Sequence, residues 1–274
     1  MDAYTAAFMP QEFRQQLERQ RASAAERALA GSIVDWTGNE KADPLNIVAV
    51  GGASYGAWMA RYELFPEVRT PTEQEWRAFY CKGGKQPTDH YVGDPTGRWT
   101  FIRRSVPRAT TLRTYRGIHT CPGVTFDTPV AIPQLWESSE RWRGEPWMSV
   151  TPHEVITLRP GTRKAKGHVV VAGMGLGMQL IDVCARRQVR RVTLIERDQA
   201  LVDWLWPCIQ AKCAQPVDVI VGDVFAVLPK LRADVALVDT FPHYGGNDWE
   251  RDQLRRSCPN VGHVWGWGAY AAYR

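Results

Sequence analysis

The 274-residue sequence has no run of eighteen or more apolar residues, so it offers no candidate transmembrane helix. Its opening, MDAYTAAFMPQEFRQQ, lacks the basic stretch followed by an apolar one that marks a secretory leader, and a cytoplasmic protein with no membrane partner is the expectation. The six cysteines (Cys81, Cys121, Cys184, Cys208, Cys213 and Cys258) include no CxxC pair. Buried thiols are therefore expected in place of disulfides or zinc ligands, and no metal site is expected. No internal repeat is visible. Extreme charge is absent too, since a net charge of +5 falls short of a strongly basic nucleic-acid-binding domain. The positive residues nevertheless gather, with Arg103, Arg104, Arg108, Arg113 and Arg116 in one group and Arg186, Arg187, Arg190 and Arg191 in another. Such groups could meet phosphates, which keeps nucleic acid as a less favoured partner. For the second group, the C-terminal end of a helix and its dipole give a simpler reason.

What is present suggests two parts, residues 1–148 and 149–274. In the first, Pro10 to Ala30 reads as a helix closed by Gly31, Leu45 to Val50 as a strand, and Pro71 to Tyr80 as a helix. Turn formers dominate Lys82 to Gly97, which reads as an exposed loop. Trp99 to Val106, Thr111 to Thr120 and Val130 to Trp136 read as short strands, giving an α+β region. Thr151-Pro152-His153-Glu154 then has the capping-box spacing of a helix start.

The second part alternates strands and helices. His168 to Ala172 runs into Gly173, Gly175 and Gly177, and a helical run from Met178 to Arg187 follows. Strand, glycine loop and helix N-terminus together make a cradle for a phosphate or nucleoside, because glycine allows close backbone approach and the helix end presents unpaired N–H groups. Val192 to Ile195 ends in Glu196, about twenty residues beyond the loop, where a carboxylate can accept hydrogen bonds from both ribose hydroxyls. Val217 to Val221 leads into Gly222-Asp223, beside which an adenine amino group would fit, and Ala233 to Val238 ends in Asp239. The dinucleotide spacing is not met, since the third glycine of GxGxxG would fall on Met178.

Over roughly Thr151 to Asp239 the sequence resembles the class I S-adenosylmethionine-dependent methyltransferase superfamily, and within it the spermidine-synthase-like branch. The resemblance implies an α/β fold, a Rossmann-like methyltransferase sheet preceded by the α+β N-terminal region, with S-adenosylmethionine as cofactor. It implies that Gly173, Gly175 and Gly177 line the methionine and ribose part of the cofactor, that Glu196 holds the ribose diol, and that Asp223 meets the adenine. Two departures stand out. Many methyltransferases place an acid two positions before the first glycine, and here that residue is Val171; spermidine synthases place an aspartate inside the loop, and here that residue is Leu176. The missing loop aspartate argues against a conventional aminopropyltransferase.

Past the fourth strand, Asp239-Thr240-Phe241-Pro242-His243-Tyr244 is expected to face the transferred group, because ligands of open α/β sheets bind beyond the carboxyl ends of the strands. Asp239 is the catalytic candidate, as proton acceptor or orienter of an N–H donor, with a helix-capping aspartate as the structural alternative. His243, Tyr244 and Trp147 are substrate candidates, and Trp136 and Trp142 lie on the same approach. His153 is a further candidate base. Core filling accounts for most of the twelve tryptophans. After Asp239 there is room for one helix, about Asn247 to Ser257, and one strand, about Val261 to Trp267, so the sheet is expected to be C-terminally truncated. Trp265 and Trp267 would lie on its open edge, covered by the N-terminal region or by a second copy in a homodimer. One competing motif, Gly52-Ala53-Ser54-Tyr55-Gly56, fits the GxSxG nucleophile elbow of a hydrolase, against a plain glycine turn; too few residues precede it for that fold. The expected function is methyl transfer to a nitrogen nucleophile of a nucleobase, protein or small amine. The alternatives are a non-catalytic S-adenosylmethionine-binding or interaction protein and a polyamine aminopropyltransferase-like enzyme.

Overall fold

The computed structural model describes residues 25–26, 28–31, 33–37, 49–76, 78, 89–113, 123–137, 146–241 and 245–269. In the N-terminal part these include strand β1 (Ala49–Val50), helix α1 (Gly52–Met59), helix α2 (Glu73–Trp76), and strands β2 (Tyr91–Gly93), β3 (Trp99–Val106), β4 (Thr111–Arg113), β5 (Gly123–Phe126) and β6 (Val130–Glu137). Strand β7 (Met148–Ser149) follows, then helix α3 (Pro152–Lys164). Strands β8 (Gly167–Ala172), β9 (Val189–Glu196), β10 (Val217–Val221), β11 (Val235–Val238) and β12 (Val264–Gly266) alternate with helices α4 (Met178–Cys184), α5 (Gln199–Gln210), α6 (Val224–Val227) and α7 (Asp248–Ser257).

Strands β8 to β12 form one sheet in the order β10-β9-β8-β11-β12, with every neighbouring pair parallel. Parallel strands need crossover helices, and these cover both faces, so the strands read as continuous apolar runs: Val169 to Ala172 and Val235 to Val238 are all buried. The chain reverses direction across the sheet between β8 and β11. That reversal opens the crevice in which doubly wound sheets bind ligands. The Rossmann-like α/β fold expected from the sequence is therefore the fold observed.

The N-terminal part contributes a three-stranded sheet, β1-β5-β4, and an antiparallel four-stranded sheet, β2-β3-β6-β7. A single apolar cluster runs from its Trp36, Tyr55, Phe101 and Phe126 to Leu176, Leu194 and Leu205 of the parallel-sheet region. Phe65 stacks on Trp204 of α5 at 5.3 Å, and the Tyr55 hydroxyl donates to the Val150 carbonyl at 2.8 Å.

Several sequence expectations need adjustment. The presumed loop 82–97 contains β2, whose pairing with β3 overrides the local turn composition; residues 82–88 lie outside the described set. The strand expected over Thr111 to Thr120 spans Thr111–Arg113 before the description ends, and most of the helix expected over Pro10 to Ala30 falls outside it. Thr151 caps α3 as expected, accepting from the N–H of Glu154. Its carboxylate accepts from the Ser149 N–H at 3.0 Å and the Ser149 hydroxyl at 2.7 Å, tying β7 to the helix.

The cover expected for the edge tryptophans from the N-terminal region or a second copy comes instead from α3. Trp265 is 1% exposed and lies against α3 at Gly161, where a built Cβ would sit 2.5 Å from the indole. The Trp267 indole N–H donates to the Thr157 hydroxyl of the same helix at 3.0 Å. The cover for both rings comes from within the parallel-sheet region, and no second copy is needed for it.

Candidate functional site

The carboxyl ends of four strands are stitched together by backbone hydrogen bonds. Gly173 N–H donates to the Ile195 carbonyl (2.9 Å), Asp239 N–H to the Ala172 carbonyl (2.9 Å), and Gly222 N–H to the Glu196 carbonyl (2.9 Å). Gly173, Glu196, Gly222 and Asp239 therefore stand in one row along the sheet's carboxyl edge.

Two glycines of the loop have specific steric reasons. Gly173 has φ +93°, and a side chain there would collide with the Asp239 carbonyl oxygen, because the loop leaves β8 directly across the end of β11. Gly175 has φ +48°, and a built Cβ would lie 2.5 Å from the Met148 Cε. Met148 of β7 thus lies across the glycine loop, which sequence reasoning missed; its neighbour Trp147 was the residue singled out. Gly177 is the N-cap of α4.

Glu196 is held by the backbone on both oxygens. Oε2 accepts from the Met174 N–H at 2.8 Å and Oε1 from the Asp198 N–H at 2.9 Å. Each carboxylate oxygen has two acceptor positions, so both can still take a hydroxyl donor. Asp223 caps α6 by accepting from the Phe225 N–H at 2.7 Å through Oδ1. The four-residue helix it starts explains its position as well as a ligand would. Asp198, a second residue missed, caps α5 and also accepts from the Trp99 indole N–H (2.9 Å) and Arg98 (2.7 Å), joining β3 to the Glu196 side of the site. The signal was present in an aspartate placed one residue before a helical run.

Asp239 directly follows β11 at the sheet reversal. It keeps some exposure as a residue, yet loss of hydration around its carboxyl pushes the pKa up to about 7. No hydrogen bond or ion pair to its carboxyl occurs among the described residues. A carboxylate with no protein partner and a pKa near neutrality can exchange a proton with a bound nucleophile. The described residues do not support the capping alternative either: α7 starts at Asp248, with Asn247 as its N-cap.

The two positions where an acid is missing are both in the core: Val171 is 0% and Leu176 2% exposed. His243 and Tyr244 lie outside the described residues. Trp147 is 47% exposed and meets Trp99 edge-on at 5.8 Å, beside the Asp198 contact. Trp136 is buried, with its N–H on Gln134, and Trp142 lies outside the described set. His153 is buried enough that its pKa falls to about 4, and it faces Trp267.

The hydrolase reading fails locally. The Ser54 hydroxyl donates to the Gly51 carbonyl at 2.8 Å and accepts from the Trp36 N–H at 2.7 Å, with no histidine partner among the described residues. It secures the start of α1. The arginine groups are also partly accounted for within the chain: Arg103 pairs with Glu63, Arg108 with Glu26 and Arg191 with Asp218. Arg186 does meet helix-end carbonyls, but those of α3: it donates to the Arg163 and Ala165 carbonyls at 3.1 and 3.2 Å.

No family model matches the chain, and no curated protein matches it. Among solved structures it is similar to a precorrin-8w decarboxylase from Methanobacterium thermoautotrophicum, at 24% identity and TM-score 0.32, over 42% of this chain and 62% of that one. It is similar to an S-adenosylmethionine-dependent methyltransferase from Thiobacillus denitrificans in complex with S-adenosyl-L-homocysteine, at 24% identity and TM-score 0.32, over 42% and 48%. A third is the 23S rRNA methyltransferase ErmE, at 19% identity and TM-score 0.30, over 39% and 42%. The match thus spans less than two thirds of each of these chains.

Proposed function

We propose that the chain is a methyltransferase that binds S-adenosylmethionine along the carboxyl edge of its parallel sheet and transfers the methyl group to a nitrogen nucleophile. The observation that carries this reading is the place of Asp239: at the sheet reversal, one backbone contact from the glycine loop, with no hydrogen-bond partner for its carboxyl among the described residues. The residues fit the cofactor in two places and not in a third. Glu196 retains acceptor positions for a ribose diol, and Asp223 retains Oδ2 for an adenine amino group. The ammonium has no carboxylate at the Val171 or Leu176 position.

The bound cofactor would supply an electrophilic methyl on a sulfonium. This chain's own residues would do the rest. The anchored Glu196 would hold the ribose, Met148 lies against the loop, and Asp239 would accept the proton that an amine must lose. Trp147, His243 and Tyr244 are proposed to contact the substrate. Residues 1–148 are proposed as the substrate cover and 149–274 as the cofactor-binding unit.

The test is isothermal titration calorimetry with S-adenosylmethionine and S-adenosylhomocysteine, followed by methyl-transfer assays on nucleic acid, protein and polyamine substrates. Failure of both ligands to bind at millimolar concentration would refute the reading. Binding without turnover on any of these substrates would favour a non-catalytic binding protein, which the missing ammonium partner already supports. Preference for the decarboxylated cofactor would favour aminopropyl transfer.

A further inference from the structure

At the opposite, amino-terminal end of the parallel sheet, a groove of about 360 Å³ lies between the C-terminal ends of α3 and α7 and the start of β12. Lys164, Arg251, Arg255 and His263 line it, together with Trp265, and among the described residues no carboxylate does. Cations in the last turn of a helix complement its dipole, which explains Lys164 on α3 and Arg255 on α7 taken singly. It does not explain why the cations of two helices converge with a histidine around one concavity. Arg251 is fixed by Asp248 and Asp252 at 3.0 and 2.9 Å, whereas Lys164 and Arg255 have no ion-pair partner among the described residues. Asp234 lies nearby but accepts from the His168 N–H at 2.7 Å.

Burial first, and then the charges of Lys164, Arg255, Arg251 and Lys166, hold the His263 pKa below the ordinary value. Like charges crowded around a concavity repel one another unless an anion joins them, and a volume of this size falls in the range of small-molecule sites.

We propose that this groove binds a small phosphorylated ligand through Lys164, Arg251, Arg255 and His263. Strands β8 and β11 separate it from the glycine loop by about 15–20 Å, at about 3.3 Å per residue. It is therefore a second site, and its assignment stands or falls independently of the methyl-transfer reading.

The experiment uses the full chain and inorganic pyrophosphate as probe, at low salt. Calorimetry should show saturable binding that K164A/R255A weakens about tenfold or more, while the variant keeps the wild-type melting temperature. The His263 ring, followed by NMR in the unmodified chain, should titrate at higher pH when pyrophosphate is present, because the bound anion offsets the surrounding cations. This readout needs no variant. Absence of saturable binding, an unchanged affinity in the double variant, or an unmoved His263 titration would overturn the proposal. A single-stranded oligonucleotide that binds through Lys164 and Arg255 while pyrophosphate does not would overturn the assignment to a small ligand.

Discussion

Replacing Asp239 with asparagine should stabilise the protein at neutral and alkaline pH while removing the methyl transfer proposed for it. The side chain keeps its size, but the group that cannot ionise cheaply in the folded state is gone. With a carboxyl pKa of about 7 in the folded chain and 3.8 as its ordinary value, the unfolded chain ionises first as pH rises. The folded state then binds more protons than the unfolded one, so stability is full below about pH 4, falls between pH 4 and 7, and levels off above 7. That displacement corresponds to a ceiling of about 4 kcal/mol. Urea denaturation of wild type and D239N at pH 4, 6 and 8 should show a difference near zero at pH 4 that grows with pH and saturates above 7. Turnover in the wild type should rise with pH through about 7 as the base ionises. D239N should lose that inflection and about two to four orders of magnitude in kcat, with cofactor affinity nearly unchanged. A stability difference that does not vary with pH would show that the Asp239 carboxyl is hydrated and ordinary, and the proton-acceptor role would fall with it.

Glu196→Ala should weaken S-adenosylhomocysteine binding by about 1–3 kcal/mol in calorimetry, since its carboxylate both anchors the Met174 amide and offers acceptors to a ribose. Gly161→Ala should lower stability by about 1–3 kcal/mol in denaturation, because the new methyl meets the Trp265 indole; an unaffected protein would mean that β12 does not pack on α3 as described. Asp198→Ala should cost about 1–2 kcal/mol by removing the cap of α5, and should also loosen the Trp99 contact, read as a change in tryptophan fluorescence. Ser54→Ala should lower stability by about 1 kcal/mol with no effect on methyl transfer, and wild type should show no esterase activity that depends on Ser54.

The sequence by itself determined the elements whose signals are local. Val217–Val221 and Trp99–Val106 are strands to the residue expected, and the order of strands, glycine loop and terminal acids from Gly173 to Asp239 is sufficient to specify a parallel doubly wound sheet. Buried parallel strands read as apolar runs. Tertiary structure alone decided what faces what. No local rule tells that Met148 lies over Gly175, that α3 covers Trp265 and Trp267, or that a turn-rich stretch supplies β2, because each depends on a partner distant in sequence. The chemistry of Asp239 belongs to this second kind. Its position past a strand was legible, but its pKa depends on how much water the surrounding fold excludes, and only the assembled sheet sets that.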